Sequence, residues 1–251
     1  FEGLSLDQAD EMDILEANGS VNFGSNKAYR AMLKKIKAGS PATNPDDLQY
    51  ILDNVDVDNL FEYMALEMFV GNSDIGNIRY YRLHQEGSKW KWIWYDADYG
   101  LYSSKFNSPW SYLKVKGMGE QKIDNTIFLK LLEHPDYKRK FLEKLADVYK
   151  TFTTEYMTQV LDGVVAEIQP EMKNHWERWG ELNDKAVTSE VPTTIDGAYT
   201  YWESRVNRLY NTLKVRPHRL WDFIKDEFKL TKTEMEELFG PQPDYPDDAV
   251  L

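Results

Sequence analysis

The stretch VGNSDIGNIRYYRLHQEGSKWKWIWYDADYG, Val70 to Gly100, limits the fold more than any other part of the chain. Ile78 to Leu83 and Lys89 to Tyr95 are rich in β-branched and aromatic residues, and Gln85-Glu86-Gly87-Ser88 between them has turn chemistry. The stretch therefore reads as a two-stranded hairpin. A hairpin brings its outer ends side by side. The loop before it carries Asn72, Asp74 and Asn77, and the loop after it carries Asp96, Asp98 and Gly100. Both acidic loops are expected to meet at one edge of the sheet.

The flanking sequence is mostly helical. Upstream, Val57, Leu60, Phe61, Met64, Ala65, Met68 and Phe69 keep 3.6-residue spacing, and Asp56 or Asp58 can cap the start. This helix presents the Asn72–Asn77 loop from a rigid support. Before it, Ile14 and Leu15 read as a short buried strand and Asn18-Gly19 as a turn. A helix capped by Ser25 runs to Gly39 with Tyr29, Met32, Leu33 and Ile36 on one face, and a helical piece lies at Asp46–Asp53 beyond a Pro41–Pro45 linker. After the hairpin, residues 101–123 read as one long loop. Helices are expected at Asn125–Leu132, Tyr137–Tyr149 and Glu155–Trp179, the last kinked at Pro170, followed by a polar connector over 181–195. Two further helices are expected at Asp196–Leu213 and Pro217–Phe228, and a short one at Thr231–Phe239. The fold class is α+β, mainly α-helical. At 251 residues one domain is expected over 1–239, with a loosely attached Pro- and Asp-rich tail at 240–251.

Composition removes several functions. A net charge of −12 argues against nucleic acid, whose phosphates need surplus Lys and Arg. The absence of Cys excludes disulfides, thiolate zinc and a thiol nucleophile. No apolar run reaches the roughly 18 residues that span a bilayer. The chain opens on Phe1 without a signal peptide, as a mature chain or a fragment would. His84, His134, His175 and His218 lie on separate elements without metal-ligand spacing and read as surface or capping residues. Trp90, Trp92 and Trp94 alternate and so share a face, which is expected to pack on the helices.

The acidic loops remain. Phosphoryl transfer of the kinase type uses a carboxylate that orients the acceptor hydroxyl, an Asn close by, and an Asp beyond the next hairpin that holds metal against the nucleotide phosphates. Asp74, Asn77 and Asp98-Tyr99-Gly100 follow that order. Paired Asp residues at strand ends are common, so other readings stay open. A calcium loop at Asp96 fails, because Gly100 comes one place early and Asn107 stands where a bidentate Glu belongs. Asp74 with Asp96 or Asp98 as a glycoside-hydrolysing pair remains an alternative, as does a binding module.

Over nearly its whole length the chain resembles the CotH kinase family, named for the spore-coat protein H of spore-forming bacteria. VDVDNLFEYMALEMFVGNSDIGNIRYYRL is similar to the family's helix and N-x-D…N loop, and KWKWIWYDADYGL to its D-x-D-aromatic-G strand end. NTIFLKLLEHPDYKRKFLEKLADVY, IQPEMKNHWERWG and WESRVNRLYNTLKVRPHRLWDFI resemble its helical region. The resemblance implies a kinase-like C-lobe with the acidic hairpin at its centre and a helical bundle after it. It implies ATP and Mg²⁺ as cofactors, serine on a coat or surface protein as acceptor, and a spore-coat, cell-surface or otherwise extracellular location. It implies Asp74 as the catalytic-loop aspartate, Asn77 and Asp98 as cofactor- and metal-binding residues, and Asp96 as a second ligand or orienter. The family's N-terminal β-rich lobe, with an R-G-x-S-like motif and a phosphate-contacting Lys, has no counterpart here. By that reading the chain is a catalytic-lobe portion and binds ATP weakly or not at all by itself. The rival is a surface module that binds protein or carbohydrate.

Overall fold

The structure is a computed structural model and describes residues 11–115, 122–186 and 192–247. The acidic residues 1–10, part of the expected loop (116–121), part of the expected connector (187–191) and the last of the tail (248–251) lie outside the described residues. In chain order the elements are β1 (Met12–Glu16), β2 (Ser20–Phe23), α1 (Lys27–Ala38), α2 (Pro45–Asn54), α3 (Val57–Val70), β3 (Arg79–Leu83), β4 (Lys91–Ile93) and α4 (Ser108–Lys114). Then come α5 (Thr126–Leu132), α6 (Pro135–Thr151), α7 (Thr154–Ile168), α8 (Met172–Ala186), α9 (Ile195–Phe228) and α10 (Lys232–Phe239). The fold is α+β and mainly helical, as expected. It divides into two compact units, Phe1–Thr151 with Leu220–Gln242, and Phe152–Arg219 with Pro243–Leu251.

The first unit holds the sheet and the acidic loops. The hairpin is the β3–β4 pair, with Tyr80 opposite Trp92, but it does not stand alone. The N-terminal strand β1 pairs antiparallel with β3, from Met12↔Leu83 to Glu16↔Arg79, and β2 continues outward to give the order β2-β1-β3-β4. Asn18 turns β1 into β2 with a left-handed backbone, φ 58°, a conformation Asn tolerates better than most residues. Leu15 is fully buried.

Beneath the sheet, α3 forms as its spacing predicts. The Asp56 side chain accepts the Asn59 N–H at 3.1 Å, and Gly71, left-handed at φ 66°, ends the helix with its N–H on Glu67 O at 3.0 Å. The predicted apolar face is buried, and so are Tyr63 and Glu67, making the helix buried nearly all round. Phe61 meets Phe141 of α6 at 5.4 Å between ring centroids. Phe141 in turn meets Phe128 of α5 at 4.8 Å and Phe228 at 5.8 Å. The first two pairs are edge-on, the arrangement the ring quadrupole favours.

Two expectations about this unit need correction. The long loop over 101–123 contains a helix, α4. Asn107 caps it by accepting the Trp110 N–H at 2.9 Å, and Pro109 sits in its first turn, where a missing N–H costs nothing. The three alternating tryptophans do not share one environment. Trp90 and Trp92 are buried against Tyr29 and Tyr80, whereas Trp94 is 46% exposed, because regular pairing ends at Ile93.

The second unit is helical. Pro170 does break the segment that contains it, α7 passing through a 3₁₀ turn at Gln169–Glu171 into α8. Pro217 does not: where two helices were expected, α9 runs unbroken from Ile195 to Phe228. A proline inside a helix leaves the carbonyl four residues back without its N–H. Here that carbonyl is Leu213 O, and the Thr154 hydroxyl at the start of α7 donates to it at 3.1 Å. The segment read as a tail is not featureless either, since His218 Nδ1 lies 2.7 Å from Pro243 O and Arg219 donates to the Tyr245 hydroxyl at 3.4 Å.

Candidate functional site

The last turn of α3 sets the site. After Gly71 the chain turns sharply, Asn72 N–H donating to Glu67 O at 3.2 Å, and the buried Asn72 side chain accepts the Asp74 N–H at 3.0 Å. Asn77 N–H then closes on Asp74 O at 3.1 Å, and the chain enters β3. The turn from Asn72 to Asn77 is thus built from side-chain and main-chain acceptors in series, and Ile75 anchors it in the core. Asp74 and Asn77 are half-buried at its rim.

On the other side of the hairpin, Asp96 leaves the strand in the left-handed region, φ 52°. The turn after it closes through Gly100 N–H to Ala97 O at 2.8 Å, and Leu101 N–H donates to Val70 O at 2.6 Å. That last bond ties the second acidic loop to the end of α3. Gly100 is required by space: a Cβ there would stand 2.8 Å from Ala97 O and 3.1 Å from Val70 Cγ2.

The Asn77 side chain joins the two loops. Asn77 donates its amide N–H to Asp96 and accepts the Tyr95 hydroxyl on its Oδ1. Arg79 stacks on the Tyr95 ring at 4.8 Å and faces Glu16 at 3.5 Å. The Tyr95 hydroxyl is pushed up, first by burial and further by Glu16, Asp96 and Asp74, against the opposing pull of Arg79. Asp74, Asn77 and Asp96 therefore share one small region. Asp98 is exposed two residues further on, at the tip of the turn. Among the described residues no three His, Cys, Asp or Glu side chains converge tightly enough to hold a metal by themselves.

That donor set suits a particular kind of ion. Every group is oxygen-based, and magnesium in nucleotide sites takes only one or two carboxylates, completing its shell with water and phosphate oxygens. The carboxylates also stand beyond a helix C-terminus, where the dipole favours a cation. The residues present thus fit Mg²⁺ bound together with a phosphate. Asn77 fits least simply, since both ends of its amide are engaged.

Three contributors were not evident in the sequence. Tyr95 read as a strand residue, and Tyr112 lay in what read as loop. Glu67 has a visible signal, a single acid four residues after Tyr63 and seven after Leu60, inside the apolar side of α3. It is 1% exposed and accepts the Tyr112 hydroxyl on Oε2 at 2.7 Å. Burial raises its carboxyl, although Tyr112, Asn72, Tyr63 and Trp94 pull the other way.

The family model described as CotH kinase protein matches residues 5–220. No curated protein and no solved structure matched significantly. The match takes in both acidic loops, the whole sheet and most of the helices, so the chain belongs to the CotH kinase family.

Proposed function

We propose that this chain carries the acidic half of a magnesium-dependent phosphotransferase that moves the ATP γ-phosphate to a protein hydroxyl, serine in the first instance. The observation that carries the reading is the Asn77 side chain, which joins the Asp74 loop to Asp96 and so brings both acidic loops to one edge of the sheet. Asp74, half-buried and held by its own N–H to Asn72, would accept a hydrogen bond from an acceptor hydroxyl and orient it. Asp98 with Asn77 would hold the magnesium, and Asp96 would fix Asn77. The ion, when bound, would neutralise phosphate charge. The acceptor would be a coat or surface protein, and the location extracellular or on the spore or cell surface.

Calorimetric titration of the chain with Mg-ATP, beside Asp98→Ala, tests the reading. Weak saturable binding that the substitution abolishes is expected. Binding that survives the substitution would remove Asp98 from the site, and absence of Mg-dependent binding in the unsubstituted chain would sink the reading for this chain. A second reading is favoured by a separate observation. Trp94, Tyr99, Tyr102 and Trp110 are all exposed within one short segment, and Tyr99 and Tyr102 lie 6.1 Å apart. Such a surface suits carbohydrate or protein. Glycan binding lost in Tyr99→Ala but kept in Asp74→Ala would establish it.

A further inference from the structure

A helix end leaves its last carbonyls without intrahelical partners. In α3 those carbonyls are distributed among the three segments that make the site. Glu67 O receives the N–H groups of Gly71 and Asn72, at 3.0 and 3.2 Å, from the Asp74 loop. Val70 O receives Leu101 N–H, at 2.6 Å, from the Asp98 loop. Met68 O receives the Ser108 hydroxyl, at 2.5 Å, from α4. One helical turn therefore sets the register of both acidic loops and of the helix that follows them.

Glu67 adds a side-chain tie at the same point. Its Oε2 accepts the Tyr112 hydroxyl of α4, while Asn72, whose side chain holds Asp74 N–H, is bound through its own N–H to Glu67 O. Its Oε1 is buried with no hydrogen-bond partner. Burying a carboxyl in this way costs stability that an apolar residue of similar size would not. Asn125, from the start of α5, steadies the other side of α4 by donating to Tyr112 O at 3.1 Å. The carboxyl thus sits between a fixed helix and the loop that carries Asp74.

We infer that Glu67 is a positioning residue for Asp74, clamping Asn72 and Tyr112 together so that the Asp74 loop keeps a fixed place relative to α4 and the Asp98 loop. Its consequence for phosphate transfer rests on the function proposed above; the clamp itself can be measured without it.

Amide hydrogen exchange on the full chain reads the clamp directly. In Glu67→Leu the Asp74 and Asn77 amides should exchange about tenfold faster, the loss of one buried hydrogen-bonding group, while amides of Leu60–Ala65 and of β1 and β3 keep their protection. Glu67→Gln, which keeps an acceptor for Tyr112, should stay within about twofold of the unsubstituted chain. Tyr112→Phe removes only the hydroxyl and should reproduce the Leu result, which also covers the case that Glu67→Leu does not fold. Unchanged Asp74 and Asn77 exchange in Tyr112→Phe, or a loss of protection spread evenly through the unit, would overturn the inference. Where the chain turns over Mg-ATP, Glu67→Leu and Tyr112→Phe should lower kcat with little change in KM for Mg-ATP. A chain without turnover but with the predicted exchange pattern would count against the phosphotransfer reading and leave the clamp standing.

Discussion

Replacing Thr154 by Val tests how α9 accommodates its internal proline. The two side chains are nearly the same size, so the change removes only the hydroxyl that donates to Leu213 O at 3.1 Å. Leu213 is 5% exposed, so its carbonyl gains little from water in exchange. A buried acceptor left without a donor costs about 1–3 kcal/mol, and Thr154 is half-buried, which places the expectation near the lower end. Pro217→Ala supplies the control. An alanine at that position has an N–H that reaches Leu213 O in ordinary helical geometry, so the hydroxyl becomes redundant. Thr154→Val should therefore cost about 1 kcal/mol less in the Pro217→Ala background than alone, a coupling well above the roughly 0.3–0.5 kcal/mol scatter of independent sites. Hydrogen exchange of the Thr212–Arg219 amides measures the local opening free energy in all four chains. Equal costs in the two backgrounds would refute the argument, because Thr154 would then contribute something other than a partner for that carbonyl.

Two other perturbations follow from the site and its surroundings. Gly100→Ala places a Cβ against Ala97 O and Val70 and should lower stability by about 1–3 kcal/mol in urea denaturation; no change would mean that the turn gives way easily. For Asp124, burial alone would raise the carboxyl, but hydrogen bonds from Lys37, the Thr126 hydroxyl and the Thr126 N–H outweigh it and leave it below its ordinary value of 3.8. A carboxyl lowered by folding stabilises fully above its unfolded value and loses that contribution as pH falls through the folded one. The stability gap between the unsubstituted chain and Asp124→Asn, measured by thermal unfolding, should be constant above about pH 5 and close as pH drops below 3.8; a gap independent of pH would discard the ion pair as its source.

The sequence made α3 and the hairpin legible because their patterns are local. Seven apolar residues at helical spacing and an Asp cap define one, and two aromatic runs around a Glu-Gly turn define the other. The meeting of the acidic loops was legible for the same reason, since a hairpin's ends must adjoin. The contacts that refine the site were not. Nothing in Ser108 to Lys114 announces that Tyr112 reaches Glu67, forty-five positions away, and α4 itself lies in a run of Ser, Trp and Tyr with weak helical periodicity. Pro217 misled for a related reason. Its effect on a helix depends on whether some distant group satisfies Leu213 O, and Thr154 lies fifty-nine positions earlier. The end of Trp alternation at Trp94 is likewise set by where β4 stops pairing, a property of its partner strand.

The partnership between β1 and β3 has a consequence for how the chain reaches this state. Closing Glu16 onto Arg79 encloses α1, α2, α3 and the Asp74 loop, whereas Tyr81 meets Lys91 across a short turn. The longer closure spans roughly six times as many residues, an added entropic cost of about 1.6 kcal/mol before any contact repays it. Local pairing wins early, so the hairpin and α3 form ahead of the four-stranded sheet, and β1 docks late. Until it does, β3 has a bare edge beside the Asp74 loop. During synthesis β1 and β2 leave the ribosome before β3, and in that interval the edge of β1 that β3 will cover is open to capture by a chaperone or by a neighbouring chain.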